Sequence, residues 1–130
     1  MKRITVKTHH AQELIDITPQ VEKAVRELKI KSGACVLHVP HTTAGITINE
    51  NADPAVKEDI LDALARLVPQ SLSYKHIEGN AHAHIQSSLI GHSALVPVEN
   101  GRLSLGTWQG VLFCEFDGPR ERTVWVIPLG

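Results

Sequence analysis

Aromatic side chains are scarce in this sequence: two tryptophans, one tyrosine and two phenylalanines, 4% of 130 residues. So thin a set cannot build a base-stacking surface. An excess of charge of one sign is lacking too. Thirteen lysines and arginines face 14 aspartates and glutamates, which leaves no basic stripe for nucleic acid or for a membrane surface. The two cysteines, Cys35 and Cys114, lie in apolar surroundings; they read as buried free thiols and exclude a disulfide scaffold. No apolar run approaches the roughly 20 residues of a membrane span. Met1 to His10 alternates and carries charge throughout, unlike a secretory signal. These absences make the cytoplasm the expected setting.

What is present suffices for a packed core. Apolar residues make up 42% and charged residues 21%, a globular composition, and the length suits one domain over residues 1–130. Arg3 to Lys7 alternates polar and apolar and predicts a strand, paired with a second over Glu13 to Ile17. Thr18-Pro19 reads as an N-cap hydroxyl followed by proline at the first helical position. Val21, Ala24, Val25 and Leu28 continue at helical spacing to a stop at Gly33. Strands are predicted over Cys35–Val39 and Gly45–Asn49. Asp53-Pro54 repeats the helix start, and Val56, Ile60, Leu64 and Leu67 carry that helix to Pro69. Ser71 to Gly79 reads as a loop. Ala81, Ile85 and Leu89 then recur every four residues, a short third helix ending at Gly91. Beyond it, Leu95–Val98, Arg102–Leu105, Val111–Phe116 and Thr123–Ile127 are separated by Asn-Gly and Asp-Gly-Pro turn chemistry. The pattern predicts an α+β fold: a sandwich-like antiparallel sheet with two main helices and one short one.

Six of the eight histidines fall between His38 and His92. Imidazole is the commonest metal ligand and the side chain that titrates near neutrality. His82 and His84 share a side only on extended chain; on a helix they diverge by about 200°. A zinc site also needs further ligands, which His41, His92 or a carboxylate would supply; a surface or capping pair is the alternative. His9, His10, His38 and His76 read as ordinary. In Pro40-His41-Thr42-Thr43-Ala44-Gly45, a connection between strands, His41 suits a ligand or general base, and Thr42 and Thr43 suit a phosphate or carboxylate. A turn satisfying its own backbone is the alternative. In Asn49-Glu50-Asn51-Ala52-Asp53, Asp53 reads as the helix cap, which leaves Glu50 as the candidate for acid/base or metal work. Glu115 and Asp117 share one face at a strand end and invite a metal or a cation, with Arg120 beyond the turn to neutralise them or to grip a phosphate. Trp108 reads as a packing or interface anchor.

Together the motifs resemble one family. His41-Thr42-Thr43-Ala44, Ile48-Asn49-Glu50-Asn51 with Asp53-Pro54, Asn80 with His84, Ser88-Leu89-Ile90-Gly91, Gly106-Thr107-Trp108-Gln109 and Glu115-Phe116-Asp117-Gly118-Pro119-Arg120 follow in the order of the YjbQ-type proteins. These are small proteins also labelled secondary thiamine-phosphate synthases. The resemblance implies an α+β fold, a homotrimer and a cleft of polar motif residues near the subunit interface. It implies a transferase that joins a pyrimidine pyrophosphate to a thiazole phosphate. Acid/base roles then fall to His41, Glu50 and Asp117, and substrate binding to Thr42, Thr43, Asn49, Asn80, Gln109 and Arg120. A divalent metal, zinc or magnesium, would use His84, His41, His82 and Glu115. Relatives often carry an acid or a small residue at position 82, so the pattern favours His84 with His41. Two alternatives share the site: a module that binds a metal or phosphometabolite without turnover, and a metal-dependent hydrolase of small substrates.

Overall fold

Period-two burial builds most of this molecule. The computed structural model describes residues 1–130. Strands β1 (Lys2–Lys7), β8 (Glu121–Leu129), β3 (Ser32–His38), β5 (Ser93–Glu99) and β6 (Arg102–Leu103) form a five-stranded sheet in that order. Strands β2 (Glu13–Asp16), β7 (Gln109–Glu115) and β4 (Ala44–Glu50) form a second sheet, and every pairing in both is antiparallel. On β8 the inward side chains are Arg122, Val124 and Val126, all buried. Central strand β7 is buried on both faces, which explains its nearly unbroken apolar run. Val111 and Phe113 face the core between the sheets, which helix α1 (Thr18–Glu27) closes with Val21, Ala24 and Val25. Leu112, Cys114 and Phe116 face a smaller core under α2 (Pro54–Leu67) and α3 (Ala81–Ile90), with Leu64 and Ala83. Burial pushes the Cys35 thiol up to about 11 and the Cys114 thiol to about 12, so both are inert apolar filler.

Two local expectations are corrected, and two elements take a form the sequence left open. Strands β1 and β2 do not pair; β1 joins β8 and β2 joins β7, in different sheets. Thr18 is not the cap of α1. Ile17 holds that position, while the Thr18 hydroxyl donates to Asp16 Oδ1 at 2.6 Å and accepts from Val111 N at 2.8 Å. The Asp-Gly-Pro turn makes the crossing from the three-stranded sheet to the five-stranded one. On α3 the apolar stripe faces outward: Ile85 is 40% and Leu89 61% exposed, while Ala83, Gln86 and Ser87 are buried. Polar contacts explain that rotation. Ser87 Oγ donates to the Ala44 carbonyl at 2.6 Å, and Gln86 Nε2 reaches the Leu64 and Val68 carbonyls at 3.3 and 3.4 Å. The Asp53 cap holds, accepting from Ala55 N at 2.9 Å. No helix is long and apolar enough to cross a membrane.

Candidate functional site

The chemistry gathers where β7 ends and the chain crosses to β8. A cleft of about 350 Å³ there is lined by His41, Thr42, Asn80, His84, Asp117 and Arg120, with Thr43, Glu78 and Arg122 among its further walls. Its floor is an ion pair between the sheets. Glu115 is fully buried and Arg122 nearly so. Arg122 donates from Nε to Glu115 Oε1 at 2.8 Å and from Nη2 to Oε2, a two-point match of guanidinium to carboxylate. Thr8 Oγ1 donates to the same carboxylate at 2.8 Å, and the Asp117 amide donates to it at 2.9 Å. Burial works against the charge, yet the Arg122, Asp117 and Thr8 hydrogen bonds outweigh it and hold the Glu115 carboxyl below its usual range. Arg122 Nη2 also donates to Thr43 Oγ1 at 2.9 Å, and Phe116 N donates to the Thr43 carbonyl at 3.1 Å. The pair thereby fixes the His41–Thr43 connection.

Above that floor Asp117 Oδ2 accepts from Asn80 Nδ2 at 2.9 Å and from Arg120 Nη2 at 3.1 Å. Here too burial is overridden by the Asn80 and Arg120 hydrogen bonds, so Asp117 is held ionised. Arg120 Nε donates to the Asp117 carbonyl at 2.8 Å, which aims the guanidinium. The Thr123 amide donates to His41 Nε2 at 3.0 Å. That nitrogen must hold a lone pair, so the ring's proton sits on Nδ1. Burial, aided by the Arg122 charge, lowers the imidazole pKa from its ordinary value. His41 is a neutral donor. Each arginine is answered by a carboxylate, so the cleft is a set of aimed donors rather than a bare cationic patch.

Several expected site residues stand elsewhere or do other work. Register pairs Ala44 with Glu115 and Glu50 with Gln109, so Asn49, Glu50 and Gln109 lie about 20 Å along the strands from the cleft. There Asn49 Oδ1 accepts from Glu50 N at 2.6 Å within β4, and Gln109 Oε1 accepts from Gly106 N at 2.7 Å across a turn, both local contacts. His82 and His84 both sit on α3, so they diverge; His84 lines the cleft and His82 a neighbouring cavity. His92 lies against Ser87 Oγ at 3.0 Å, outside the cleft. Glu115 is locked by Arg122, and the His41 lone pair is committed to Thr123. The residues His84, His41, His82 and Glu115 therefore do not fit one metal, and no three His, Cys, Asp or Glu side chains converge as ligands. Sequence reasoning missed Arg122, Thr8 and His76. Arg122 shares the inward face of β8 with Val124 and Val126, and a lone arginine in that phase was the available signal. His76, read as ordinary, meets His84 edge-on at 5.1 Å between ring centres.

Comparison with known proteins places this geometry. The model of the UPF0047 protein YjbQ-like family matches residues 2–130. A UPF0047 protein of Methanocaldococcus jannaschii is 53% identical over 96% of this chain and 91% of its own length. The UPF0047 protein YugU of Bacillus subtilis is 53% identical over 100% of this chain and 99% of its own. The crystal structure of an uncharacterised YjbQ/UPF0047 protein from Clostridium acetobutylicum superposes with a TM-score of 0.94 at 54% identity, covering 97% of this chain and 98% of that one.

Proposed function

The chain belongs to the YjbQ-like UPF0047 family, and on that footing we propose that its cleft binds the phosphate of a small phosphorylated metabolite for a transferase of the thiamine-phosphate synthase type. The observation that carries this reading is the gathering of hydrogen-bond donors on one cleft, the oriented Arg120 guanidinium with His41 and Thr42 beside it. A transfer that joins a pyrimidine pyrophosphate to a thiazole phosphate must stabilise the departing pyrophosphate, and preorganised donors do that. The neighbouring acid/base inventory agrees. His41 has no free lone pair and Asp117 is held as carboxylate by Asn80 and Arg120, which leaves His84 as the cleft imidazole whose ring makes no hydrogen bond. Departure of a stabilised anion asks less of a base than hydrolysis does. A divalent ion, zinc or magnesium, if bound, would be held by His84 and Asp117 beside the phosphate and would neutralise charge on the leaving group.

The test is a steady-state assay of the two substrates with purified protein. Wild type should release pyrophosphate, and Arg120→Ala and His84→Ala should each lower kcat/KM at least tenfold. Turnover untouched by both substitutions defeats the assignment. Thermal stabilisation by phosphate or pyrophosphate without turnover favours the binding module instead. The same reading includes a homotrimer, supported by the outward Ile85–Leu89 stripe and by Trp108, 64% exposed on its turn.

A further inference from the structure

Beside the cleft lies a second cavity, of about 270 Å³, and Glu78, Asn80 and Asp117 line both. No lysine or arginine lines this cavity; its polar side chains include Gln12, Glu78, Asn80, His82 and Asp117. Hydrogen bonds fix which atoms those side chains leave over. Buried Gln86 spends its Nε2 on two carbonyls, so its Oε1 faces Gln12 and accepts from Gln12 Nε2 at 2.8 Å. Gln12 is thereby oriented with Oε1 as its spare acceptor. Asn80 gives Nδ2 to Asp117, which leaves Oδ1, a buried acceptor with no partner. His82 Nδ1 is buried and without a partner as well. Native folds rarely leave buried polar atoms unpaired, and these two belong to residues that line the cavity. The two compartments thus share a carboxylate wall and differ in cations: Arg120 and Arg122 line the cleft, and the cavity adds the Gln12 acceptor and His82 with no cation of its own.

We propose that the cavity is a second subsite, which takes a hydrogen-bond-donating amino group of the same ligand whose phosphate sits in the cleft. The ligand class is a small phosphate ester with an amino group at its other end. This rests on the phosphate reading of the cleft and adds to it. The near balance of arginines and carboxylates across the shared wall suits such a ligand better than a bare anion.

Titration calorimetry on the full chain tests it, with ω-aminoalkyl phosphates of various chain lengths set against n-alkyl phosphates of the same lengths. At one length or more the amino compound should bind at least tenfold tighter than its alkyl twin. His82→Leu and Gln12→Leu should each erase that advantage while the alkyl phosphate is unaffected. Because Gln12 holds Gln86, its variant is accompanied by circular dichroism and melting; His82, with its unpartnered Nδ1, is the milder change. Equal affinity of the twins at every length overturns the second subsite and leaves the phosphate reading standing. An advantage that survives both substitutions also overturns it. Failure of both series and of inorganic phosphate to bind overturns both readings.

Discussion

Glu115 and Arg122 meet between the two sheets with almost no access to water, so neither tolerates losing the other. Arg122→Met should cost about 3–5 kcal/mol in urea denaturation, because it strands a buried carboxylate. Glu115→Leu combined with Arg122→Met should recover much of that loss. Acid should act on the same contact. A carboxyl held below its usual range stabilises the fold fully above the unfolded value of about 4.3, and that contribution is lost as pH falls through the folded value. His41, lowered by burial, has the same sign higher on the scale: its contribution is full above about 6.5 and declines below it. Urea midpoints followed from neutral to acid pH should therefore fall in two stages, and Arg122→Met should shrink the lower one, leaving the part that Asp16 and Asp117 contribute. At this scale the sequence was partly legible. Asp117 and Arg120 were in view because polar groups cluster at a strand end and its turn, whereas Asn80, and the choice of His84 over His82, came from the family resemblance. Glu50 and Gln109 lie at the far end of the strand pair from the cleft, and nothing in a sequence says that two motifs occupy opposite ends of one strand pair.

The crossing from β7 to β8 shows how an element depends on space. A Cβ on Gly118 would lie 2.3 Å from the His10 carbonyl oxygen, 2.8 Å from Glu115 Cγ and 2.9 Å from Thr8 Oγ1. Backbone on one side and the buried carboxylate on the other leave no room to give. Gly118→Ala should lower stability by about 1–3 kcal/mol in thermal or urea denaturation, and should weaken phosphate binding by displacing Arg120. Elements with local signatures were readable in advance: the Asp53 cap, the proline starts of α1 and α2, and the Asn-Gly turn between β5 and β6. Pairing was less readable. A short loop between β1 and β2 invites a hairpin, yet each strand finds its partner about a hundred residues away. The period of α3 marked a helix without marking its buried face. Its apolar period is real, but Ser87 and Gln86 satisfy carbonyls inside the fold and turn that stripe outward.

An outward stripe on a well-packed helix concerns the whole molecule. Large exposed apolar residues gathered on ordered elements mark association surfaces. Sedimentation equilibrium should give three times the chain mass of 14.3 kDa, and Leu89→Glu with Ile85→Glu should give a monomer with unchanged circular dichroism. A monomeric wild type at micromolar concentration refutes the homotrimer. The ion pair under the cleft has one more consequence. Through Thr8, Thr43 and the Asp117 amide it fastens both sheets and the cleft walls into one cooperative unit, so the cleft has no private way to open. Hydrogen exchange at the Phe116 amide, which donates to the Thr43 carbonyl, should proceed only through global unfolding, and a ligand in the cleft should slow exchange throughout both cores.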